Sequence, residues 1–226
     1  MRAELRALTL VILGVLLLAL AGCEKTPAPS SSGFAGLGQA SEGFTQVEPG
    51  TPIVLPQDHG AHPDYRIEWW YVTANLTDEQ GQSWGAQWTL FSQALTAQAG
   101  VTVEPFEAWI DEWSLKAQAN EHLSPMQVHA SGEGFSYQLQ LVSEQPIVLQ
   151  GEGGYSRKSD SDQASWYMSQ PFYQVHGEIQ WQGQTYKVSG QAWLDREWSS
   201  QPLAADQQGW DWFSLHMDTG NKLMLF

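Results

Sequence analysis

Three things are scarce in this chain, and each scarcity removes a class of explanation. Cysteine is the first: one, Cys23, among 226 residues. No disulfide can form within the chain, so packing and hydrogen bonds must hold the fold. Positive charge is the second, with ten Lys and Arg against 25 Asp and Glu, a formal net charge of −15. Nucleic acid is gripped through Lys and Arg on phosphates, so it is not an expected partner. Adsorption to anionic lipid by charge is disfavoured for the same reason. Helical periodicity is the third, since no stretch beyond residue 23 carries an amphipathic 3.6-residue pattern. Phosphate-binding loops and nucleotide fingerprints are lacking as well, and Ser214 has no G-x-S-x-G context for a hydrolase elbow. The chain calls for no cofactor.

What is abundant is tryptophan, with 12 residues, set mostly in stretches that alternate with a two-residue period. Strands are read at Tyr65 to Leu76, Ser83 to Leu95, Phe106 to Ala117, Phe135 to Val142 and Pro146 to Gln150. More follow at Ala164 to Tyr173 and Gln174 to Gln180, broken at Pro171, then Thr185 to Leu194 and Trp210 to Met217. Turns at Asp78 to Gly81, Trp181 to Gln184 and Asp218 to Asn221 join neighbours as hairpins. Many short strands with turns between them predict an all-β antiparallel barrel or strongly curved sandwich. Lys222 to Phe226 is the outgoing arm of a hairpin with no closing polar segment. That is expected of a shortened sequence, or of a strand completing a sheet elsewhere.

The N-terminal end has a different character. Arg2 and Arg6 precede an apolar run from Leu8 to Leu20, then small residues and Cys23. This is a secretory signal pattern over residues 1–22, expected to be helical. Leu20-Ala21-Gly22-Cys23 resembles a bacterial lipobox, which implies cleavage before Cys23 and its lipidation. Residues 23–43 are rich in Pro, Ser, Gly and Ala and read as a flexible tether. The expected location is the bacterial cell envelope, lipid-anchored and facing the periplasm. Glu24 in place of an aspartate after the cysteine points to the outer membrane rather than the inner. The folded domain is expected over residues 44–226.

The chain is organised around Gln191 to Met217, which holds Trp193, Trp198, Trp210 and Trp212 together with Asp195, Glu197, Asp206 and Asp211. Alternation puts Trp193, Asp195 and Glu197 on one strand face, and Ala192, Leu194 and Arg196 on the other. Further on, Trp210, Trp212, Ser214 and His216 share a face. A carboxylate beside an indole must meet a donor, a proton or water, because burying it unpaired is costly. Upstream, Glu68 alternates with Trp70, Val72, Ala74 and Leu76 on an otherwise apolar face, with Arg66 in reach as a partner. His59 and His62 lie between Asp58 and Asp64 in a Pro/Gly-rich loop. Two histidines without a third ligand nearby do not make a metal site, so none is expected there. The loop could still bring an imidazole over a barrel mouth.

Three pieces together, Asp58-His59-Gly60-Ala61-His62-Pro63 leading to Glu68-Trp69-Trp70-Tyr71, Trp193-Leu194-Asp195-Arg196-Glu197-Trp198, and Gly209-Trp210-Asp211-Trp212-Phe213, carry a resemblance. The chain resembles the AttH and hydroxyneurosporene synthase family, also called carotenoid 1,2-hydratase-like, from Phe44 onward. The resemblance implies a lipocalin-like β domain, usually followed by a second one, so the sequence is expected to stop before that second domain. It implies one of several activities. Some members hydrate a terminal alkene of an acyclic carotenoid, others are called predicted secreted hydrolases, and others are the lipoprotein of an AttEFGH-type ABC transport system.

Hydrating an alkene needs an acid to protonate one carbon and a wall that tolerates the resulting cation. A carboxylic acid in an apolar wall supplies the first and indole faces the second. Asp195, Glu197 and Glu68 are the candidate acids. His59, His62, Trp70, Trp193, Trp198, Trp210, Trp212 and His216 are the candidate ligand contacts, and these groups are expected to line a shared pocket. The same residues could instead form a structural joint, with the acids paired to Arg196. Three function classes follow. The leading one is an anchored lipoprotein holding an apolar small molecule in a lipocalin-like cavity, with an ABC transporter permease as partner. The others are a cofactor-free hydratase or hydrolase, and a Trp-rich glycan-binding module.

Overall fold

The structure is a computed structural model that describes residues 43–94, 107–110, 113–159, 163–201 and 211–225. The signal segment, the tether, Cys23, Asp206 and Trp210 lie outside the described residues.

Residues 44–66 form an irregular segment with several turns and a 3-10 turn at Gln57–His59. The strands follow: β1 (Ile67–Asp78), β2 (Ser83–Gln93), β3 (Glu107–Ile110), β4 (Trp113–Ala117), β5 (Met126–Gly132), β6 (Phe135–Val142), β7 (Val148–Leu149), β8 (Tyr155–Arg157), β9 (Ala164–Trp181), β10 (Gln184–Ser199), β11 (Phe213–His216) and β12 (Lys222–Leu225). The main sheet runs β2-β1-β10-β9-β6-β5-β4-β3, with β7 and β8 also on β9; β11 and β12 form a separate hairpin. All these pairings are antiparallel. The sheet curls strongly. Tyr137 on β6 donates to the carbonyl of Gln87 on β2 at 2.6 Å, although three strands lie between them in the order. The result is an antiparallel half-barrel of the lipocalin-like kind.

Alternation decides what fills it. Trp70, Val72, Ala74 and Leu76 of β1 share the inner face with Ala192 and Leu194 of β10, Tyr173, Val175 and Ile179 of β9 and Leu139 and Leu141 of β6. Burying each such Val, Leu or Ile contributes roughly 1.5–3 kcal/mol, so the hollow is stabilised by being full. Two inner glycines let neighbouring backbones approach. A Cβ on Gly190 would collide with the Asn75 carbonyl and come within 2.9 Å of the Leu76 Cα, and one on Gly177 would collide with the Gln138 carbonyl.

Four elements differ from the sequence reading, one of them the short β8, which no alternating run marks. The strand expected over Phe106 to Ala117 is a hairpin, because Ile110 pairs with Trp113 and the chain reverses between them. β5 was not anticipated, although Met126, Val128 and Ala130 alternate inward with Gln127 and His129 opposite. β9 is not broken at Pro171. The pairing with β10 steps from Tyr173↔Ala192 to Gln170↔Leu194, so β9 holds one extra residue there. That bulge accommodates a residue with no N–H to give to the ladder.

Candidate functional site

The ionisable residues singled out in the sequence fall on both faces of the β1–β10 ribbon. On the inner face, at the end closed by residues 44–66, Glu68 and Arg196 meet. Arg196 Nη2 donates to Glu68 Oε1 at 2.7 Å, and the guanidinium also donates to the carbonyls of His59 at 2.7 Å and Gly60 at 2.9 Å. Its carbon sits 4.3 Å from the centre of the Trp70 ring. Glu68 takes the backbone N–H of His62 at 2.8 Å and contacts its Nδ1 at 2.7 Å, while the His62 ring stacks on Trp198 at 3.9 Å. Burial pushes the His62 imidazole down, but Asp58 and Glu68 outweigh it and leave the ring above its ordinary value. His59 is fully buried with Nε2 on the Asn120 carbonyl, and burial drives its pKa down to about 4. Among the described residues no group of three His, Cys, Asp or Glu could hold a metal ion.

This inner cluster is a latch. An Arg that cannot lose its proton, in an apolar end, is stabilised by one carboxylate, two carbonyls and a ring face. The Asp58–Asp64 loop is thereby fixed to the sheet. Glu68 is held by Arg196, the residue that the sequence reading had offered to Asp195. The two-residue period puts Arg196 and Asp195 on opposite faces, so they cannot pair.

The opposite face carries a recess of about 190 Å³ lined by Trp69, Tyr71, Tyr167, Asp195, Glu197 and Trp212. Strand register builds it: Tyr71 pairs with Asp195, Trp69 with Glu197, Asp195 with Ser169 and Glu197 with Tyr167. Trp212, just before β11, closes one side. Its indole N–H donates to the Tyr167 hydroxyl at 3.0 Å, and its ring meets Tyr71 edge-on at 5.3 Å. Asp195 is 6 % exposed. Its Oδ1 accepts from the Tyr167 hydroxyl at 2.9 Å and from the Ser169 hydroxyl at 2.5 Å, and Oδ2 is buried. Burial pushes the carboxyl up to about 6; Ser169, Trp193 and Tyr167 pull it part-way back, and the Glu197 charge adds to the rise. Trp193 acts here through its indole N–H, which lies near the same carboxyl. Burial also raises the Tyr167 hydroxyl far above the ordinary range, helped by Asp195 and Glu197, so it stays a proton donor. Glu197 is ion-paired with Lys158 at 2.8 Å, and the same ammonium lies 4.8 Å from the Tyr167 ring centre.

The chemistry of the recess is therefore that of one buried acid in an aromatic wall. One of its oxygens is held by two hydroxyls, and burial favours the protonated carboxyl.

A comparison of the sequence with protein families matches the AttH-like family over residues 46–100 and 93–226. The chain belongs to the AttH-like family. This AttH-like chain is similar to the crystal structure of a protein from Nitrosomonas europaea assigned to AttH, with 36% sequence identity and a TM-score of 0.71 over 80% of this chain and 66% of that one. It shares its fold with kievitone hydratase from Nectria haematococca, at 14% identity and a TM-score of 0.52, covering 79% of this chain and 61% of the hydratase. The AttH-like chain thus spans somewhat under two thirds of the length of both. No curated protein matches the sequence significantly.

The eleven residues proposed from the sequence as catalytic or ligand-binding do not share one pocket. Asp195, Glu197 and Trp212 line the recess. Trp193 and His216 share its face without lining it; their rings lie 5.8 Å apart, with His216 Nε2 on the Pro171 carbonyl at 3.1 Å. Glu68, Trp70, His59, His62 and Trp198 belong to the inner latch. Trp210 is outside the described residues. Sequence reasoning did not single out Trp69, Tyr71, Tyr167, Ser169 or Lys158. A signal existed for four of them: Trp69 and Tyr71, and Tyr167 and Ser169, alternate onto the face opposite to Trp70 and Met168. Lys158 comes from the segment after β8, and no periodicity announces it.

Proposed function

We propose that this AttH-like protein adds water across an alkene of an apolar small molecule, without a cofactor, using Asp195 as the proton donor. The observation that carries the reading is the Asp195 carboxyl, buried and pushed up to about 6, among the residues that line an aromatic recess. In the reaction the Asp195 proton passes to one alkene carbon and a cation develops on the other. The faces of Trp69, Tyr71 and Trp212 oppose that charge. Water attacks the cationic carbon and its released proton goes to the Glu197 carboxylate or to solvent; Asp195 regains a proton from solvent. Tyr167 and Ser169 hold Oδ1, so the charge left on Asp195 is spread over two hydrogen bonds. Glu68 has a structural part, holding the loop through Arg196. The hydratase relative has the same fold at low identity, which makes the analogy one of scaffold only.

The test uses the mature protein with a panel of acyclic terpenoids and prenylated phenols in ¹⁸O-labelled water. A product heavier by one labelled water, lost in Asp195→Asn and reduced in Tyr167→Phe, supports the reading. Equal turnover by Asp195→Asn, or no product from any panel member, overturns it.

A second reading is a carrier lipoprotein at the cell envelope, serving an ABC transporter permease. It is favoured by the lipobox-like Leu20-Ala21-Gly22-Cys23 and the Pro/Ser/Gly tether. Binding of an apolar molecule that leaves unchanged would favour it over hydration. Lipidation at Cys23 is part of either reading: the wild-type protein should incorporate labelled palmitate and Cys23→Ser should not.

A further inference from the structure

We infer that the recess on the outer face of the β1–β10 ribbon is a binding site for a quaternary ammonium group. Four aromatic rings line it, Trp69, Tyr71, Tyr167 and Trp212, together with two carboxylates. Aromatic walls with an acid are what alkylated ammonium ions require, because they carry charge but no N–H to donate. A primary ammonium would need up to three acceptors. The recess offers too few: Asp195 is buried with Oδ1 taken by Tyr167 and Ser169, and Glu197 is already paired with Lys158 at 2.8 Å. The walls already accommodate a cation in one place: the Lys158 ammonium lies over the Tyr167 ring. The size agrees. A recess of about 190 Å³ has room for a head of five heavy atoms and is too small for a whole drug-sized molecule.

Charge in the recess is set by few groups. From β10 come Asp195 and Glu197, from β1 Tyr71, from β9 Tyr167, and from the segment after β8 Lys158. Both tyrosine hydroxyls are raised, Tyr71 by burial and Asp195, so they remain neutral. His216 of β11 stands behind Trp193, and burial and Lys222 disfavour its charged form. Asp195, pushed up to about 6, changes charge between pH 5 and pH 8. A quaternary ammonium carries the charge of a tertiary carbocation in a similar apolar surround, though it is tetrahedral where the cation is planar. That link to hydration rests on the function proposed above, whereas binding itself rests on the rings and Asp195 alone.

The experiment is a titration of the mature protein with choline and with its neutral isostere 3,3-dimethylbutan-1-ol, followed by tryptophan fluorescence and calorimetry at pH 5 and pH 8. Choline should bind at least about tenfold more tightly than the isostere at pH 8, and several-fold more weakly at pH 5, while the isostere is indifferent to pH. Asp195→Asn should erase the pH dependence, and Trp212→Leu should bring choline down to the level of the isostere; Trp212→Phe, which keeps a ring, should restore part of the difference. Circular dichroism of each variant separates loss of binding from loss of fold. Equal affinity for the two probes, or no saturation by choline at 100-fold molar excess over millimolar protein, overturns the proposal. If choline fails while Asp195→Asn still abolishes hydration, the cage is wrong and the catalytic acid stands. If choline binds as described and no alkene is hydrated, the recess is a receptor and the hydratase reading falls.

Discussion

Replacing Asp195 by Asn should make the protein more stable, and more so at higher pH. The side chain is 6 % exposed and its pKa rises from 3.8 to about 6 on folding. A carboxyl whose folded value is raised binds its proton more tightly in the native state. Its favourable contribution is complete below the unfolded value and is lost as pH climbs through the folded one. The full difference of roughly two pKa units corresponds to about 3 kcal/mol of strain in the ionised native state above pH 7. At pH 5, where most native molecules keep the proton, only about half of it has appeared. Asn keeps an oxygen for the Tyr167 and Ser169 hydroxyls and places a neutral amide where Oδ2 was. Urea unfolding of wild type and Asp195→Asn at pH 5 and pH 7.5 measures this directly. The variant should gain stability at both, with a surplus at pH 7.5 larger by about 1 kcal/mol. A variant less stable than wild type at pH 7.5, or a difference independent of pH, would refute the reasoning. The gain in stability with loss of activity is the pattern of a strained functional group.

The inner latch behaves in the opposite way. Glu68→Gln or Arg196→Met should each cost about 3–5 kcal/mol, because each strands a buried partner, and the double variant Glu68→Leu/Arg196→Met should cost less than their sum; chemical denaturation with a double-mutant cycle reads this. His62 is held above its ordinary value despite burial, by Asp58 and Glu68, so its contribution is present below pH 6.5 and fades as pH rises through the folded value. The stability gap between wild type and His62→Phe should accordingly narrow from pH 6 to pH 9, and a constant gap would contradict it. Gly190→Ala forces a Cβ onto the Asn75 carbonyl and should lower stability by about 1–3 kcal/mol, visible as a drop in melting temperature, while Gly85→Ala on β2, where a Cβ meets nothing within 4 Å, should not.

The two-residue period made much of this molecule legible in advance. It gave the antiparallel β class, the inner face of β1, and the separation of Arg196 from Asp195 on β10. It could not assign partners. Glu68 has Arg66 close in sequence, yet its ion pair is Arg196, brought by register across the β1–β10 ribbon. Local spacing carries no information about register, which turns and core packing set together. The same limit explains why the candidate acids were gathered into one pocket. Alternation tells which residues share a face of one strand, not which faces of two strands coincide. Once Glu68 is opposite Trp198 and Trp69 opposite Glu197, the acids divide between a latch and a recess. Pro171 misled for a related reason: in isolation it reads as a strand end, and only the partner strand supplies the bulge that absorbs it. The Lys158–Glu197 pair joins a loop to a strand, a contact for which the sequence holds no periodic trace.

The measurement that bears most directly on the central claim is the titration of Asp195 itself. Protein labelled with ¹³C at aspartate carboxyls, compared with Asp195→Asn to assign the resonance, gives the ionisation of this one group by NMR. The account predicts a midpoint near pH 6 that falls when Trp212→Ala opens the recess to water. A midpoint at or below 4, unmoved by that change, would mean that Asp195 is an ordinary ionised carboxylate at neutral pH. It could then not deliver the proton on which the proposed function depends.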